Sequence, residues 1–365
     1  MLKRYMHNRE RHFAMLNDNR VVQPFEWGFE YIGGNPDDEE PHHLFSRYAA
    51  ETVKNSDEFF FSPEITDFSL ESRLQPAEKG PLKRGLQADS PLKRGLQTPG
   101  LKTLTWTSGV ETPSIENNTA YATYFPSANK KAAVIVLPHW NAKAGTYFDL
   151  CKVFNKLGFS ALRLTLPYHE ERMPPELERA EYLVAPNVGR TLQSLRQSVV
   201  DTRSAVKWLK QQGYEKVGIV GTSIGSCVGF FAFTHDMDID AAVFNHVSGY
   251  PADVVWRGLS TYHVRESFGD NLTLDELREY WLPISPMSYL DRLAKLPPRP
   301  QRYIYTLYDL SFPVDLSRDV LRELKRLKIK HSRAAIPCGH YTLGEKPWVY
   351  LDAFKITSFL RRHLR

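Results

Sequence analysis

The 365-residue sequence predicts an α/β fold, with a mostly parallel central sheet covered by helices on both faces. Three observations predict it. From Leu101 onward, strand patterns alternate with helical ones, as when each strand returns through a covering helix. Several strand segments are continuous apolar runs, the mark of strands buried on both faces. The residues able to carry chemistry fall where those strands end, which is where sites form in open parallel sheets.

The elements follow in order. LKTLTWTSG and TAYATYFPS alternate in polarity and read as an antiparallel pair of strands. AAVIVLPHW is the first apolar run. TYFDLCKVFNKLG has helical spacing and stops at Gly158. SALRLTLPYH is the next strand. In RTLQSLRQSVVDTRSAVKWLKQQG, residues Leu192, Leu195, Val199, Val206 and Leu209 share one helical face, and Gly213 ends it. KVGIVGTS is a strand and IGSCVGFFAF begins a helix directly after it. AAVFNHVSG, RYIYTLYD and SRAAIPCGH are later strands; LSRDVLRELKRLK and PWVYLDAFKITSFLRRHL are helices.

Composition narrows the class. An apolar fraction of 42% supports a sizeable core, and no apolar run is long enough for a membrane span. The amino terminus, MLKRYMHNRERHFAML, lacks the apolar region of a signal peptide, so the cytoplasm is the expected compartment. A net charge of +5 does not call for a nucleic-acid partner. Cys151, Cys227 and Cys338 are odd in number and widely spaced, so buried free thiols are expected rather than disulfides or zinc.

Residues 1–100 differ from the rest, being rich in aromatic, charged and turn-forming types. RVVQPFEWGFEYIGG is expected to pack on the core as an extension, because its aromatics are costly to leave in water. PLKRGLQ occurs at Pro81–Gln87 and again at Pro91–Gln97. Two polar copies do not make a solenoid, so residues 81–100 read as a basic linker. Docking to an acidic partner or a membrane surface is the alternative. Residues 101–365 form the main domain, and 251–298 intervene between two core strands. Insertions of that length are usually functional, and a helical lid is expected there, with a static insertion as the alternative.

The chemistry centres on Gly221-Thr222-Ser223-Ile224-Gly225, a G-x-S-x-G motif between a strand and a helix. A nucleophile on so sharp a turn needs small neighbours two residues away, hence Gly221 and Gly225. The serine needs a base. His340, in the loop after the last strand, suits that role; His7, His12, His42, His43 and His363 lie in terminal or charged segments and read as solvated. His246 ends a strand and reads as a core residue or a pocket wall. The imidazole needs a carboxylate. Asp309 ends a strand and stands between serine and histidine in the chain; Asp253, Asp315 and Asp319 are its rivals. Oxyanion donors are expected from the backbone N–H of Ile224 and, in the loop after AAVIVLP, of Trp140, with His139 next. His169-Glu170-Glu171 lacks a further ligand for a metal and reads as solvated loop charge.

Together these residues resemble the α/β-hydrolase superfamily of serine esterase and lipase type, over Leu101 to Arg365. In that family the loop after the first central strand reads His-Gly-x; here it reads Pro138-His139-Trp140, which puts Trp140 at the position after the family's glycine. LPYHEER, GHYTLGE and the amino-terminal FEWG look similar to a little-characterised group of α/β-hydrolase-domain proteins. The resemblance implies esterase-type chemistry. With the residues themselves it leads to an expected small-molecule ester or acyl substrate, and no metal or cofactor is implied. The alternatives are an acyltransferase or peptidase using the same triad, a non-catalytic binding protein of this fold, and a scaffold that works through its basic linker.

Overall fold

The computed structural model describes residues 2–16, 19–35, 37, 39–72 and 100–365. Both PLKRGLQ units lie outside the described residues. Among the described residues, nine strands form one sheet: β1 (Ser69–Ser72), β2 (Lys102–Thr107), β3 (Thr119–Phe125), β4 (Ala132–Leu137), β5 (Ser160–Thr165), β6 (Lys216–Thr222), β7 (Ile239–Asn245), β8 (Gln301–Thr306) and β9 (Ser332–Ile336). Their spatial order is β1-β2-β3-β5-β4-β6-β7-β8-β9. The pairs β1–β2, β2–β3 and β3–β5 are antiparallel. Every pair from β5 through β4 to β9 is parallel.

Twelve helices accompany the sheet among the described residues. They are α1 (Leu2–Met15), α2 (Pro41–Lys54), α3 (Ser56–Phe59), α4 (Phe148–Lys156), α5 (Val188–Gln211), α6 (Ile224–His235), α7 (Pro251–Arg257), α8 (Tyr262–Phe268), α9 (Leu274–Tyr280), α10 (Leu290–Lys295), α11 (Val314–Arg326) and α12 (Trp348–Leu364). No helix among them is long and apolar enough to cross a membrane.

The apolar runs behave as two-faced strands. In β4 all six residues are buried. Ala133, Ile135 and Leu137 join the core beneath α5, α6 and α11, while Ala132, Val134 and Val136 join the opposite core beneath α4 and α12. β7 divides in the same way, Ala242 and Phe244 to one side, Ala241 and Val243 to the other. That alternation is the period of two that a pleated strand imposes. α6 is buried at all twelve of its residues, which is why IGSCVGFFAF carries no polar stripe. The three cysteines are free and buried.

The first seventy residues carry helices that the sequence pattern does not reveal, α1 above all. The FEWG segment meets the start of α5 backbone to backbone: Gly189 N–H donates to Trp27 O at 2.9 Å. A Cβ on Gly189 would stand 2.0 Å from Gly28 O, so only glycine permits the approach. Phe25, Trp27 and Phe29 pack against the α5-side core. Residues 251–298 are helical, from α7 through α10, and send Phe268, Leu277, Trp281 and Ile284 into that core.

The loop after β5 corrects the expectation of solvated charge at His169-Glu170-Glu171. Glu171 is exposed, but His169 is buried, and Glu170 pairs with Arg163 at 2.6 Å in the interior. Next to them Arg172 is fully buried. It donates to Asp201 Oδ2 at 2.8 Å, Thr165 O at 3.2 Å and Asn117 O at 2.8 Å, and Ser108 Oγ donates to the other Asp201 oxygen at 2.7 Å. The end of β5, the segment between β2 and β3, and α5 are thus tied to the loop around a buried ion pair. Asp201→Ala should cost about 3–5 kcal/mol, because it leaves the Arg172 guanidinium buried without its counter-charge. Urea unfolding should show a large fall in midpoint at unchanged slope; a loss below about 1 kcal/mol would contradict this account.

Candidate active site

β6 ends at Thr222 and α6 begins at Ile224, so a single residue makes the turn. Ser223 takes φ 58° and ψ −125°, a left-handed conformation that is strained for any residue with a Cβ. The flanking glycines explain how it fits. A Cβ on Gly221 would lie 2.0 Å from Gly225 O, and a Cβ on Gly225 would lie 2.5 Å from Pro138 O and 2.6 Å from Leu137 O. The end of β4 therefore presses directly on the first turn of α6. Ser223 N–H donates to Asn245 O at 2.8 Å, which ties the turn to β7.

Asp309 follows β8, and its buried carboxylate is saturated with donors. Oδ1 accepts the backbone N–H groups of Ser311 and Phe312 at 2.9 and 2.7 Å. Oδ2 accepts Thr306 Oγ1 at 3.0 Å, His340 Nδ1 at 3.0 Å and His246 Nδ1 at 2.9 Å. Burial alone would push the carboxyl up, but His340 and the hydrogen bonds from His246 and His340 outweigh it and hold Asp309 far below the usual carboxylate range. Burial alone would depress the His340 imidazole; the adjacent Asp309 charge and hydrogen bond outweigh it and raise the pKa above its ordinary value. The rival acids are engaged elsewhere: Asp253 with Arg278 at 2.6 Å, Asp315 with Arg257 at 2.7 Å, and Asp319 with Arg322.

Ser223 and His340 line one cavity of about 940 Å³. Among the described residues no hydrogen bond joins Ser223 Oγ to His340, so their relation is one of a shared space. Catalytic hydrogen bonds commonly tighten only in complexes. Part of the cavity's lining is apolar, built by Leu195, Cys227, Val254, Val255, Trp281 and Ile284. Four of these six come from residues 251–298.

The loop after β4 supplies another wall. Ile224 N–H, at the first position of α6, and Trp140 N–H have no intrachain acceptor among the described residues. The Trp140 indole donates to Ala180 O at 2.7 Å and stacks on His263 with ring centroids 5.9 Å apart. Asn141, at φ 58°, donates its N–H to His169 Nε2 at 2.8 Å, while His169 Nδ1 donates to Pro167 O at 2.9 Å. His169 is therefore neutral with its proton on Nδ1, and burial pushes its pKa down to about 4. The Asn141 N–H is committed to this bond. His139 also lines the cavity; it is half-buried, with a ring nitrogen 2.8 Å from the Tyr147 hydroxyl.

Two residues at the site have partners that the sequence does not reveal. His246, read there as a core residue or a pocket wall, is one; its contact with Asp309 requires the ends of β7 and β8 to be neighbours. The other is Glu10 on α1, which is fully buried. It accepts the N–H of Tyr341 at 3.1 Å, the N–H of Thr342 at 2.9 Å and the Thr342 hydroxyl at 2.9 Å. A Cβ on Gly339 would lie 2.2 Å from the Glu10 carboxyl carbon. The GHYT segment is thus moulded around a carboxylate more than three hundred residues away in sequence. The helical pattern of α1 is hidden because its buried face is Met6, Glu10 and Ala14, which hydropathy does not mark as a stripe.

His246, Asp309 and His340 present three donor atoms within 4.8 Å of one another. Both imidazoles spend Nδ1 on the same carboxylate oxygen, whereas a metal would need each atom about 2.0–2.2 Å from a common centre. The cluster is organised as hydrogen bonds.

No family model matches the chain, and no curated protein matches it. Solved structures do. An acylaminoacyl peptidase from Pyrococcus horikoshii superposes with a TM-score of 0.52 at 16% identity, covering 67% of this chain and 40% of its own; the chain thus spans about two fifths of that protein. Acetyl xylan esterases from Paenibacillus sp. R4 and a Thermoanaerobacterium species superpose with TM-scores of 0.60 and 0.56 at 10% and 11% identity. They cover 89% and 97% of this chain, and 95% and 98% of their own. With the sheet order and the strand–serine–helix turn, these likenesses establish that the chain has the α/β-hydrolase fold.

Glu10→Ala should destabilise the protein by about 3 kcal/mol, since each hydrogen bond to a buried charge is worth about 1.5–3 kcal/mol. Glu10→Gln keeps an acceptor and should lose less. Urea denaturation checks the order, and equal losses for both variants would refute it.

Proposed function

We propose that the protein is a serine hydrolase that cleaves an ester by acyl transfer to water. The observation that carries this reading is the convergence, on one cavity, of a strained serine at a strand-to-helix turn and a histidine hydrogen-bonded to a buried, ionised aspartate. Ser223 Oγ attacks the ester carbonyl carbon while His340 Nε2 takes its proton. The tetrahedral oxyanion lies against the N–H groups of Ile224 and Trp140, and collapse expels the alcohol, protonated by His340. Water then repeats the sequence on the acyl-enzyme and frees Ser223. Asp309 holds His340 with its proton on Nδ1 and its Nε2 lone pair available, and stabilises the imidazolium as it forms. The apolar walls from residues 251–298 favour the acyl part of the ester, and exclude water from around the developing charge.

The apolar stretch of the lining, Leu195, Cys227, Val254, Val255, Trp281 and Ile284, favours an ester; the charged groups of the same cavity, Arg20, Lys143, Glu178 and Arg179, make a peptidase the second reading. The proposed compartment is the cytoplasm, with a small-molecule ester as partner.

A fluorophosphonate probe should label the wild type and fail to label Ser223→Ala and His340→Ala. Labelling retained in His340→Ala would remove that residue from the role of base; absence of wild-type labelling beside a labelled control hydrolase would sink the enzyme reading. Asp309→Asn should lower kcat by about 10⁴. The pH dependence follows from His340. It must be neutral to accept the serine proton, and its pKa is raised. So kcat/KM should be full above that pKa and fall as pH drops through it, with an apparent pKa above the ordinary histidine value of about 6.5. An acid limb centred below 6 would contradict the coupling to Asp309.

A further inference from the structure

Asp309 serves two imidazoles, and the mechanism uses only one. His246 Nδ1 lies 2.9 Å from Asp309 Oδ2, the oxygen that also accepts His340 Nδ1 at 3.0 Å. The two rings pack with centroids 4.6 Å apart. We propose that His246 is a positioning residue: a permanently neutral Nδ1–H donor that fixes the Asp309 carboxylate and tempers its pull on His340. The inference rests on the preceding reading for what the pair is used for, and on geometry alone for the coupling itself.

The protonation state follows from the partners. His246 Nε2 is buried and has no hydrogen-bond partner. Were the proton on Nε2, a buried N–H would be left unsatisfied, and the Nδ1 lone pair would face a carboxylate oxygen at 2.9 Å. Were both nitrogens protonated, the orphaned N–H would remain. Only the neutral Nδ1–H form leaves nothing worse than an unused lone pair. Burial pushes the ring's pKa down, against the raising effect of Asp309, in agreement with that state.

The backbone points the same way. His246 sits at φ 67° directly after β7, and its N–H donates to Ile304 O at 2.8 Å. A non-glycine residue there is uncommon, although His, Asn and Asp tolerate it best. The strain is kept at the point where the side chain meets the catalytic acid, one residue beyond the carbonyl that holds Ser223.

The effect on His340 follows from charge. Oδ2 shares its negative charge among His246, Thr306 and His340. Removing one donor leaves a more basic carboxylate, which holds the His340 proton more tightly. The titratable groups facing the pair are Asp309 from the loop after β8, Glu10 from α1, His139 from the loop after β4 and the buried thiol of Cys338 after β9. None of these changes when His246 is replaced.

The test is nuclear magnetic resonance of the full chain carrying ¹⁵N-labelled histidine, with His340 and His246 identified by their replacement. In the wild type, His246 should be the neutral Nδ1–H tautomer throughout the range in which His340 titrates. His246→Asn places an amide N–H where Nδ1–H stood and should keep the His340 pKa near its wild-type value. His246→Leu should raise it by about half a unit or more and lower kcat about tenfold at unchanged KM. If the leucine variant does not fold, His246→Gln, whose amide overreaches the Nδ1 position, serves in its place. An Nε2–H or cationic His246, or a His340 pKa unmoved by loss of the donor, overturns the proposal. The resonance readout does not need turnover, so it separates two failures. Coupling without fluorophosphonate labelling would sink the hydrolase reading alone; labelling without coupling would sink this one alone.

Discussion

A carboxylate with almost no contact with water has to remain charged, and the surroundings of Asp309 are arranged around that requirement. Its desolvation would otherwise protonate it, and a neutral acid could not support an imidazolium. Five donors resolve the conflict. Two are backbone N–H groups of the turn that carries it, one is a threonine at the end of its own strand, and two are imidazoles from other strand ends. The parallel order β7-β8-β9 is what brings those ends together. A sheet with another strand order would leave the same residues in place along the chain and the acid without its partners.

The serine turn makes the complementary demand for closeness. Gly225 abuts the carbonyls of Leu137 and Pro138, so the loop leaving β4 starts against the backbone of the Ser223 turn. That loop is then fixed from outside, by His169 on the Asn141 N–H and by Asn141 Oδ1 on the Ala180 N–H at 2.8 Å. His169 is in turn held beside the Arg163–Glu170 and Arg172–Asp201 pairs. Charged residues that look like a solvated loop are in fact an internal brace. Buried ion pairs of this kind are a poor source of net stability, but their removal in part is costly, which makes them effective at fixing a single geometry.

What was legible in the sequence was whatever leaves a local signature. β4 and β6 are continuous apolar runs because both faces are covered, and Gly221-Thr222-Ser223-Ile224-Gly225 is compact because the clash it avoids is local. Asp309 and His340 could be placed by their positions after strands, in the chain order this fold uses. Glu10 and His246 could not. Each acts through a partner brought near only by folding, and each belongs to a class whose ordinary reading is bland: a glutamate in a charged amino-terminal helix, a histidine at the end of a strand. Cross-chain contacts of this sort carry no periodicity. The solvated reading of Glu170 failed for the same reason, since Arg163 lies in an apolar strand where no counter-ion is expected.

Four buried or half-buried histidines crowd this end of the sheet, and their partners sort them. His139 is held by a tyrosine hydroxyl and His169 by a carbonyl and an N–H; burial pushes them down to about 3 and about 4. His246 and His340 share one acid, at nearly equal distances, yet only His340 is raised. Burial lowers both, but Asp309 and Glu10 together raise His340, whereas the charge on His340 adds to the lowering of His246. Access differs too. The His246 side chain is 1% exposed and the His340 side chain 15%, and only His340 lines the cavity beside Ser223. Both rings meet Asp309 through Nδ1, but the far nitrogen of His246 faces closed protein, where a proton would be stranded. The far nitrogen of His340 belongs to a ring that lines the cavity, where the proposed mechanism has a proton received and returned. The same carboxylate can thus hold one imidazole neutral in closed protein and raise the other at the cavity wall, and on the proposed mechanism only the second is placed to exchange a proton with a substrate.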